Sequence, residues 1–185
     1  MNFYTRTAIE FSLAEILKRH LKYYKYLYST YKKNRKDGKA YIKVIEYRYL
    51  LILEISALLE SIINLYIAKK VNEKEFKDLE SNSFRDKWIK IPCKFNPSYK
   101  IDDSTTELLE LLIKYRKNIA HNKPYLHADG ALVHRGNSPI QVNDEHQQII
   151  EFAQLPILLL EQLDSFDDSL AMEKYMIKQQ LKSAF

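Results

Sequence analysis

The chain has 185 residues, of which 46% are apolar and 29% charged, with a formal net charge of +5 and one cysteine. This length and balance fit one buried core, so they exclude an intrinsically disordered chain and predict a single domain over residues 1–185. Because Cys93 is the single cysteine, an intramolecular disulfide and a cysteine zinc cage are excluded. The low content of glycine and proline, three and five residues, favours an all-α fold.

The first predicted element is a long helix over residues 7–33. Its apolar stripe consists of Leu13, Leu17, Leu21, Tyr24, Leu27 and Tyr31. Polar residues interrupt any apolar run before it, namely Asn2, Thr5, Arg6 and Thr7. The sequence therefore predicts no signal peptide, and with the single cysteine it indicates a cytoplasmic protein.

The second half of this helix is basic and rich in tyrosine. Residues 1–48 hold 12 Lys and Arg against 4 Asp and Glu. One interpretation is an RNA-binding surface in which cations attract phosphate and exposed tyrosines stack on unpaired bases. Its candidate residues are Lys22, Lys25, Lys32, Lys33 and Arg35. The other is an ordinary amphipathic helix with its tyrosines packed inward and its lysines solvated.

A turn at Asp37 and Gly38 precedes the longest predicted helix, residues 40–70. Its apolar part, residues 50–68, is interrupted by Glu54, Ser56, Glu60, Ser61 and Asn64. These polar residues argue against a membrane span and predict a helix at the centre of a bundle or dimer. A carboxylate on such a helix needs a partner, and we expect Lys87 or Arg116 for Glu60. A carboxylate satisfied elsewhere in the core or at the surface is the alternative.

Two short helices follow. Asn72 and Glu75 form a capping pair that starts one of them, ending near residue 80. The second covers residues 84–90 and ends before Pro92, and residues 92–103 are predicted as a loop. Lys87 on the second helix is a further candidate for RNA contact, although a lone cation on a short helix is usually only solvated.

The next helix carries the residues of greatest chemical interest. Its predicted start is a capping box from Ser104 to Glu107, and Pro124 predicts its end near residue 121 or 122. Arg116 and His121 lie on it, five residues apart. Positions five apart on an unbroken helix point about 140° away from each other. The two side chains therefore converge only if the helix unwinds at His121, or if a symmetry-related copy completes the site.

The rest of the chain is predicted as helical, with one interruption. Residues 131–142 suggest a small hairpin-like excursion around a turn at 135–139.

His127 and His134 follow His121 without metal-ligand spacing, so no metal and no cofactor is expected. A helix over residues 144–165, kinked or split at Pro156, precedes a last helix over 167–185 that we expect to dock on a partner subunit.

Arg116, four intervening residues and His121 resemble the R-x4-H motif of the HEPN superfamily, small helical domains that include metal-independent ribonucleases. Two other stretches extend the resemblance to residues 40–165. Residues 58–64 resemble the long acidic and apolar helix that precedes the motif in this superfamily. Residues 84–88 resemble the short basic and aromatic helix between the two.

The resemblance implies an all-α bundle of four to six helices that begins with two long ones, and a homodimer. It implies an endoribonuclease of toxin–antitoxin or phage-defence systems, with RNA and an antitoxin or other inhibitor as partners and no membrane association. Arg116 would hold the scissile phosphate, while His121 would move the proton of the 2′-hydroxyl or of the leaving 5′-oxygen. These roles match a permanent guanidinium fork and an imidazole that titrates near neutrality.

The motif departs from the usual family pattern directly after the arginine. Lys117 stands where an Asn or another small polar residue is usual, and Asn118 follows it. Either is spaced to lie beside His121, where Lys117 would attract phosphate and Asn118 would orient the ring. Two alternatives to an enzyme therefore stay open: a catalytically inactive RNA-binding or protein-interaction module of this fold, and a helical dimerisation protein without a nucleic-acid role.

Overall fold

Two long antiparallel helices, α1 (Phe3–Lys33) and α2 (Gly38–Lys70), form the frame of the fold. The computed structural model describes residues 3–121, 125–126, 132–133 and 142–185. Asp37 caps α2, because its side chain accepts hydrogen bonds from the backbone N–H groups of Lys39 and Ala40. The contacts between the two helices run in antiparallel order along α1. They pair Glu10 with Ser61, His20 with Glu54, Tyr24 with Arg48 and Tyr31 with Tyr41.

Helix α2 is the centre of the core, as its sequence predicts. It contacts α1 on one side and packs against the later helices on others. Its fully buried apolar side chains include Leu51, Ile55, Leu58, Leu59 and Ile63. By length and composition α2 is apolar enough to cross a membrane, but 61% of its most apolar window is buried inside this fold. Its apolar surface is thus largely covered by the chain itself.

The remaining helices pack around α2. They are α3 (Glu73–Glu80), α4 (Phe84–Ile89), α5 (Ile91–Phe95), α6 (Asp103–His121), α7 (Val142–Phe166), the 3-10 turn Asp168–Leu170 and α8 (Ala171–Lys182). Helices α2, α6 and α7 pack against one another, and α4 contacts both α2 and α6. Two-residue strands, β1 (Tyr125–Leu126) and β2 (Leu132–Val133), pair in antiparallel fashion between α6 and α7.

The all-α prediction is confirmed, and several boundaries differ from it. The described residues form eight α-helices rather than four to six. One addition is α5, because Pro92 lies in its first turn, where a missing N–H costs nothing. The cap of α6 is Asp102 rather than Ser104, since the Asp102 carboxylate accepts from the Thr105 N–H at 2.7 Å. The capping box from Asn72 to Glu75 is present as predicted.

The C-terminal part also differs from its prediction. Helix α7 runs without a break through Pro156, so it is not split there. The predicted excursion had its second arm at 140–142, but Val142 begins α7 and β2 pairs with β1 instead. Residues 134–141 lie outside the described part of the chain. The last helix, α8, packs on α1 and α7 of its own chain, with Ile177 and Leu181 buried, and its docking on a partner subunit stays a prediction.

Candidate active site around Arg116

Arg116 lies near the C-terminal end of α6, where two other elements hold its guanidinium. Its Nη2 donates to Glu60 Oε2 of α2 at 2.9 Å. The guanidinium carbon lies over the Phe84 ring of α4, 5.2 Å from the ring centroid. A cation over an aromatic face and a charge-assisted hydrogen bond both fix orientation. The side chain nevertheless keeps 36% of its surface exposed, so a ligand can reach it.

Glu60 is shared between two cations. Its Oε2 meets Arg116, and its Oε1 lies 3.4 Å from Lys87 Nζ. Both partners expected for Glu60 are therefore present together. The Lys87 side chain is only 3% exposed, so its charge depends on Glu60 for compensation. We name these four residues, Glu60, Phe84, Lys87 and Arg116, the Arg116 cluster; its two cations and one carboxylate leave a net positive charge.

The local sequence explains how α4 presents its part of the cluster. Ser83 caps α4, because its Oγ accepts from the Asp86 N–H at 3.1 Å. Phe84 and Lys87 then stand three residues apart on one face of the helix. Trp88 is fully buried and anchors α4 in the core. A surface ion pair between Arg85 and Glu110, 2.7 Å apart, adds a link to α6.

The described part of α6 extends to His121, so the predicted end near residue 121 or 122 falls at the edge of the described residues. The side chain of His121 lies outside the described part, as do His127 and His134, so convergence of His121 with Arg116 stays a prediction. Lys117 and Asn118 are exposed on the last turns of α6. Among the described residues no group of three or more His, Cys, Asp or Glu side chains could hold a metal ion.

The candidate RNA-binding cations fall into two groups. Lys22, Lys32, Lys33 and Arg35 are exposed, as phosphate attraction requires. Lys25 instead donates to the carbonyl oxygens of Ala184 and Phe185, at 2.5 and 3.4 Å. Lys87 is buried against Glu60, so direct RNA contact by Lys87 was a wrong expectation. The other expectation for this residue, pairing with Glu60, is the one that the structure confirms.

The tyrosines of α1 divide between the two interpretations. Tyr24 and Tyr28 are buried, as the amphipathic interpretation predicts. Tyr23 and Tyr26 are 41% and 62% exposed, as the base-stacking interpretation requires. The amphipathic interpretation is therefore confirmed for Tyr24 and Tyr28, whereas base stacking on Tyr23 and Tyr26 stays a prediction.

Sequence reasoning missed two features. Phe84 under the Arg116 guanidinium is one, and the aromatic and basic composition of α4 was its only signal. The other is a polar cluster in which His146 of α7 stacks on Tyr28, with ring centroids 3.8 Å apart. Its Nδ1 lies 3.2 Å from the Tyr24 hydroxyl, which also accepts from Arg48 Nε at 3.4 Å. This cluster fixes the start of α7 on the α1–α2 pair.

Burial sets the protonation of this polar cluster. Burial, together with the positive charges of Arg48, Lys25 and Lys32, lowers the pKa of His146 to about 4. Burial also raises the pKa of the Tyr24 hydroxyl, against the opposing effect of Arg48. The imidazole is therefore neutral at pH 7.

Comparison with known proteins gives no match to a family model, a curated protein or a solved structure.

Proposed function

We propose that the protein is a metal-independent endoribonuclease of the HEPN type, which cuts RNA by attack of the 2′-hydroxyl on the adjacent phosphate. The observation that carries the proposal is the state of Arg116. Its guanidinium is oriented by Glu60 and Phe84 and is still exposed to solvent, close to the helix end at His121.

Arg116 supplies the charge that the reaction needs. The 2′-oxygen attacks phosphorus, and negative charge builds on the non-bridging oxygens as the bond to the 5′-oxygen breaks. The contact with Glu60 uses one N–H of Nη2, whereas a guanidinium has five N–H donors. Donors fixed in advance stabilise such charge without reorganisation, so the Glu60 contact favours this role.

His121 moves the protons in this proposal. One imidazole takes the proton from the 2′-hydroxyl, and a protonated imidazole gives one to the leaving 5′-oxygen. The products are a 2′,3′-cyclic phosphate and a 5′-hydroxyl, so no external nucleophile or metal enters the balance. Because the nucleophile is part of the substrate, alignment of the attacking and leaving oxygens is the main demand on the protein.

The same mechanism calls for a second copy of the chain. Helix α6 is continuous through His121, and positions five apart on an unbroken helix point about 140° away from each other. The continuous helix therefore argues against unwinding at His121. It favours a site that a symmetry-related copy of the chain completes. We accordingly propose a homodimer in which two copies of Arg116 and His121 form one cleft.

The exposed surface near the cluster suits a polyanionic substrate. Lys117 and Asn118 are exposed beside the cluster, Lys22, Lys32 and Lys33 are exposed on α1, and Arg35 is exposed in the turn before α2. Cations at a distance still attract RNA through released counterions. An unregulated cytoplasmic ribonuclease harms its host, so a toxin or phage-defence role with an antitoxin or other inhibitor is the setting that we propose.

The test is cleavage of single-stranded RNA in EDTA, with analysis of the product ends. We expect cyclic phosphate ends with the natural chain and loss of cleavage with His121→Ala and Arg116→Ala, both still folded by circular dichroism. Lys74→Ala, which removes an exposed cation on α3, is the matched control and should cleave normally. Cleavage that survives His121→Ala would remove the catalytic assignment.

A second candidate is a catalytically inactive HEPN-like module that binds RNA or a partner protein. The pairing of Arg116 with Glu60 is compatible with it, because the carboxylate reduces the charge that Arg116 can offer to a transition state. The replacement of a small polar residue by Lys117 favours it. This candidate predicts RNA binding without cleavage, in which case Arg116→Ala would weaken binding and leave no activity to lose.

A further inference from the structure

A continuous row of aromatic rings crosses the surface between α1 and α2. Tyr26 and Tyr23 of α1 have ring centroids 6.2 Å apart, Tyr23 and Tyr47 of α2 are 4.9 Å apart, and Tyr47 and His20 are 5.9 Å apart. We name these four residues, Tyr26, Tyr23, Tyr47 and His20, the tyrosine ladder. Neither the amphipathic pattern of α1 nor the Arg116 cluster requires it.

The rings of the ladder are held in place without covering one another. Interplanar angles of 31°, 58° and 85° along the row mean that no pair is stacked in parallel. His20 is fixed at one end, because its Nδ1 lies 2.6 Å from Glu54 Oε1. Tyr26 and Tyr23 keep 62% and 41% exposure. The ladder therefore presents aromatic surface to solvent in a defined arrangement.

Cations border this aromatic surface. Arg19, Lys22 and Lys43 are exposed, and each stands four residues before a tyrosine of the ladder on the same helix. Over residues 9–57 the exposed charged side chains comprise eight cations and two acids. The cations are Arg19, Lys22, Lys32, Lys33, Arg35, Lys36, Lys39 and Lys43, and the acids are Asp37 and Glu46.

The charge of this surface distinguishes between two possible binding partners, a second copy of the chain and a polyanion. Exposed Leu50 and Leu53 lie on the neighbouring surface of α2 and would suit a second copy of the chain. A two-fold interface here would, however, bring the same basic rim against itself, at an electrostatic cost. A polyanion with planar apolar groups satisfies both the cations and the rings.

We infer that the tyrosine ladder binds single-stranded RNA, with unpaired bases stacked on its tyrosine rings and phosphates held by Arg19, Lys22 and Lys43. Every base has a face that stacks on an aromatic ring, so the surface binds without strong base preference. A duplex buries these faces in its own stack and leaves only its phosphates to bind. The choice of RNA as the polyanion rests on the proposed function. The inference adds that this RNA is single-stranded.

The experiment measures binding rather than cleavage, so that failure of the ladder and failure of the nuclease are separate results. The protein is the full chain with His121→Ala, in EDTA, and the probes are fluorescent single-stranded and duplex RNA of equal total charge. The variant Tyr23→Leu with Tyr26→Leu removes two rings and keeps apolar volume. Tyr175→Leu is the matched control, since Tyr175 is a 65% exposed tyrosine on α8.

We expect the double variant to bind single-stranded RNA about tenfold more weakly, as loss of base stacking predicts. Duplex affinity should stay within about twofold, and Tyr175→Leu should change neither. Lys22→Gln with Lys43→Gln should weaken both probes and reduce the salt dependence of binding. Equal losses for both probes in the double tyrosine variant, or no loss, would overturn the inference.

A change of oligomeric state is the other decisive outcome. If Tyr23→Leu with Tyr26→Leu, or Leu53→Asp, converts a dimer into a monomer by light scattering with unchanged RNA affinity, the surface joins two copies and the inference is wrong. If the natural chain proves unable to cut RNA while the ladder still shows its preference for single strands, the nuclease proposal fails and the binding surface stands.

Discussion

Glu60 and Arg116 lie on different helices, 56 positions apart in the chain, and are joined by a hydrogen bond of 2.9 Å between Glu60 Oε2 and Arg116 Nη2. The other oxygen of Glu60 faces the buried ammonium of Lys87. One carboxylate thus neutralises a buried cation and orients an exposed one. Stability and the proposed chemistry are coupled through it.

Glu60→Gln tests this coupling. The amide keeps the shape of the carboxylate, but it leaves the Lys87 ammonium buried without a counter-charge, so we expect a loss of about 1–3 kcal/mol in the free energy of unfolding. Urea denaturation measures it. Lys87→Met removes the cation in need of compensation, so Glu60→Gln should cost clearly less in a Lys87→Met background. Equal costs in the two backgrounds would show that Glu60 and Lys87 are energetically independent.

The cap of α6 gives a second prediction. Hydrogen bonds from the Ser104 hydroxyl and the Thr105 N–H lower the pKa of Asp102 to about 2. Asp102→Ala should lower the free energy of unfolding by about 1 kcal/mol, whereas Asp102→Asn, which can still accept the backbone bond, should cost less. Ser104→Ala leaves the Asp102 bond to Thr105 intact and is the control for the position predicted from sequence.

The Asp102 effect has a defined pH dependence. Because the folded-state pKa lies below the ordinary 3.8, the stabilisation is present above that pH and is lost as the pH falls toward 2. In the natural chain, unfolding free energy should therefore fall more steeply over this range than in Asp102→Ala. Parallel acid profiles for the two proteins would contradict the assignment.

The sequence predicts the frame of this fold well because its signals are local and repeated. The apolar stripe of α1 and the nearly continuous apolar surface of α2 each extend over many turns, so no single residue decides them. The need of Glu60 for a partner was also predictable, because a carboxylate on an apolar helix requires a cation, and both expected partners, Lys87 and Arg116, are present.

The differences arise where two local interpretations fit the same residues. Asp102 and Ser104 are both suitable cap residues for α6, and in the structure Asp102 is the cap because it accepts from the Thr105 N–H. Pro92 both ends one helix and starts the next, so α5 was predicted as loop. The burial of Lys87 against Glu60 and the stacking of His146 on Tyr28 join elements that are distant in sequence. The apolar periodicity of a single helix does not predict such contacts.

Trp88 gives a prediction about how α4 is held. Its side chain is fully buried, and its Nε1 has no hydrogen-bond partner among the described residues. Trp88→Ala opens a cavity and should lower the unfolding free energy by about 3–5 kcal/mol. Trp88→Phe removes the same N–H but leaves a smaller gap, so its cost should be clearly lower. Urea denaturation followed by far-ultraviolet circular dichroism compares them, and equal losses would show that the volume of the buried ring does not set the cost.

His146 makes the fold sensitive to acid in a range distinct from that of Asp102. Its folded-state pKa of about 4 lies below the ordinary 6.5 because the ring is buried near Arg48, Lys25 and Lys32. The folded protein therefore binds this proton less readily than the unfolded chain, and stability should fall as the pH drops from 6.5 toward 4. The contribution of His146 is constant outside that range.

The variant His146→Phe isolates this contribution. The new ring can still stack on Tyr28, as His146 does at 3.8 Å, but it cannot take up a proton. We expect His146→Phe to flatten the part of the stability profile between pH 6.5 and 4 that His146 causes, with some loss at pH 7 from the missing contact to Tyr24. Urea midpoints at a series of pH values measure both effects. If His146→Phe loses stability in acid as steeply as the natural chain, another group carries the transition and the ring is protonated in the folded protein at little cost.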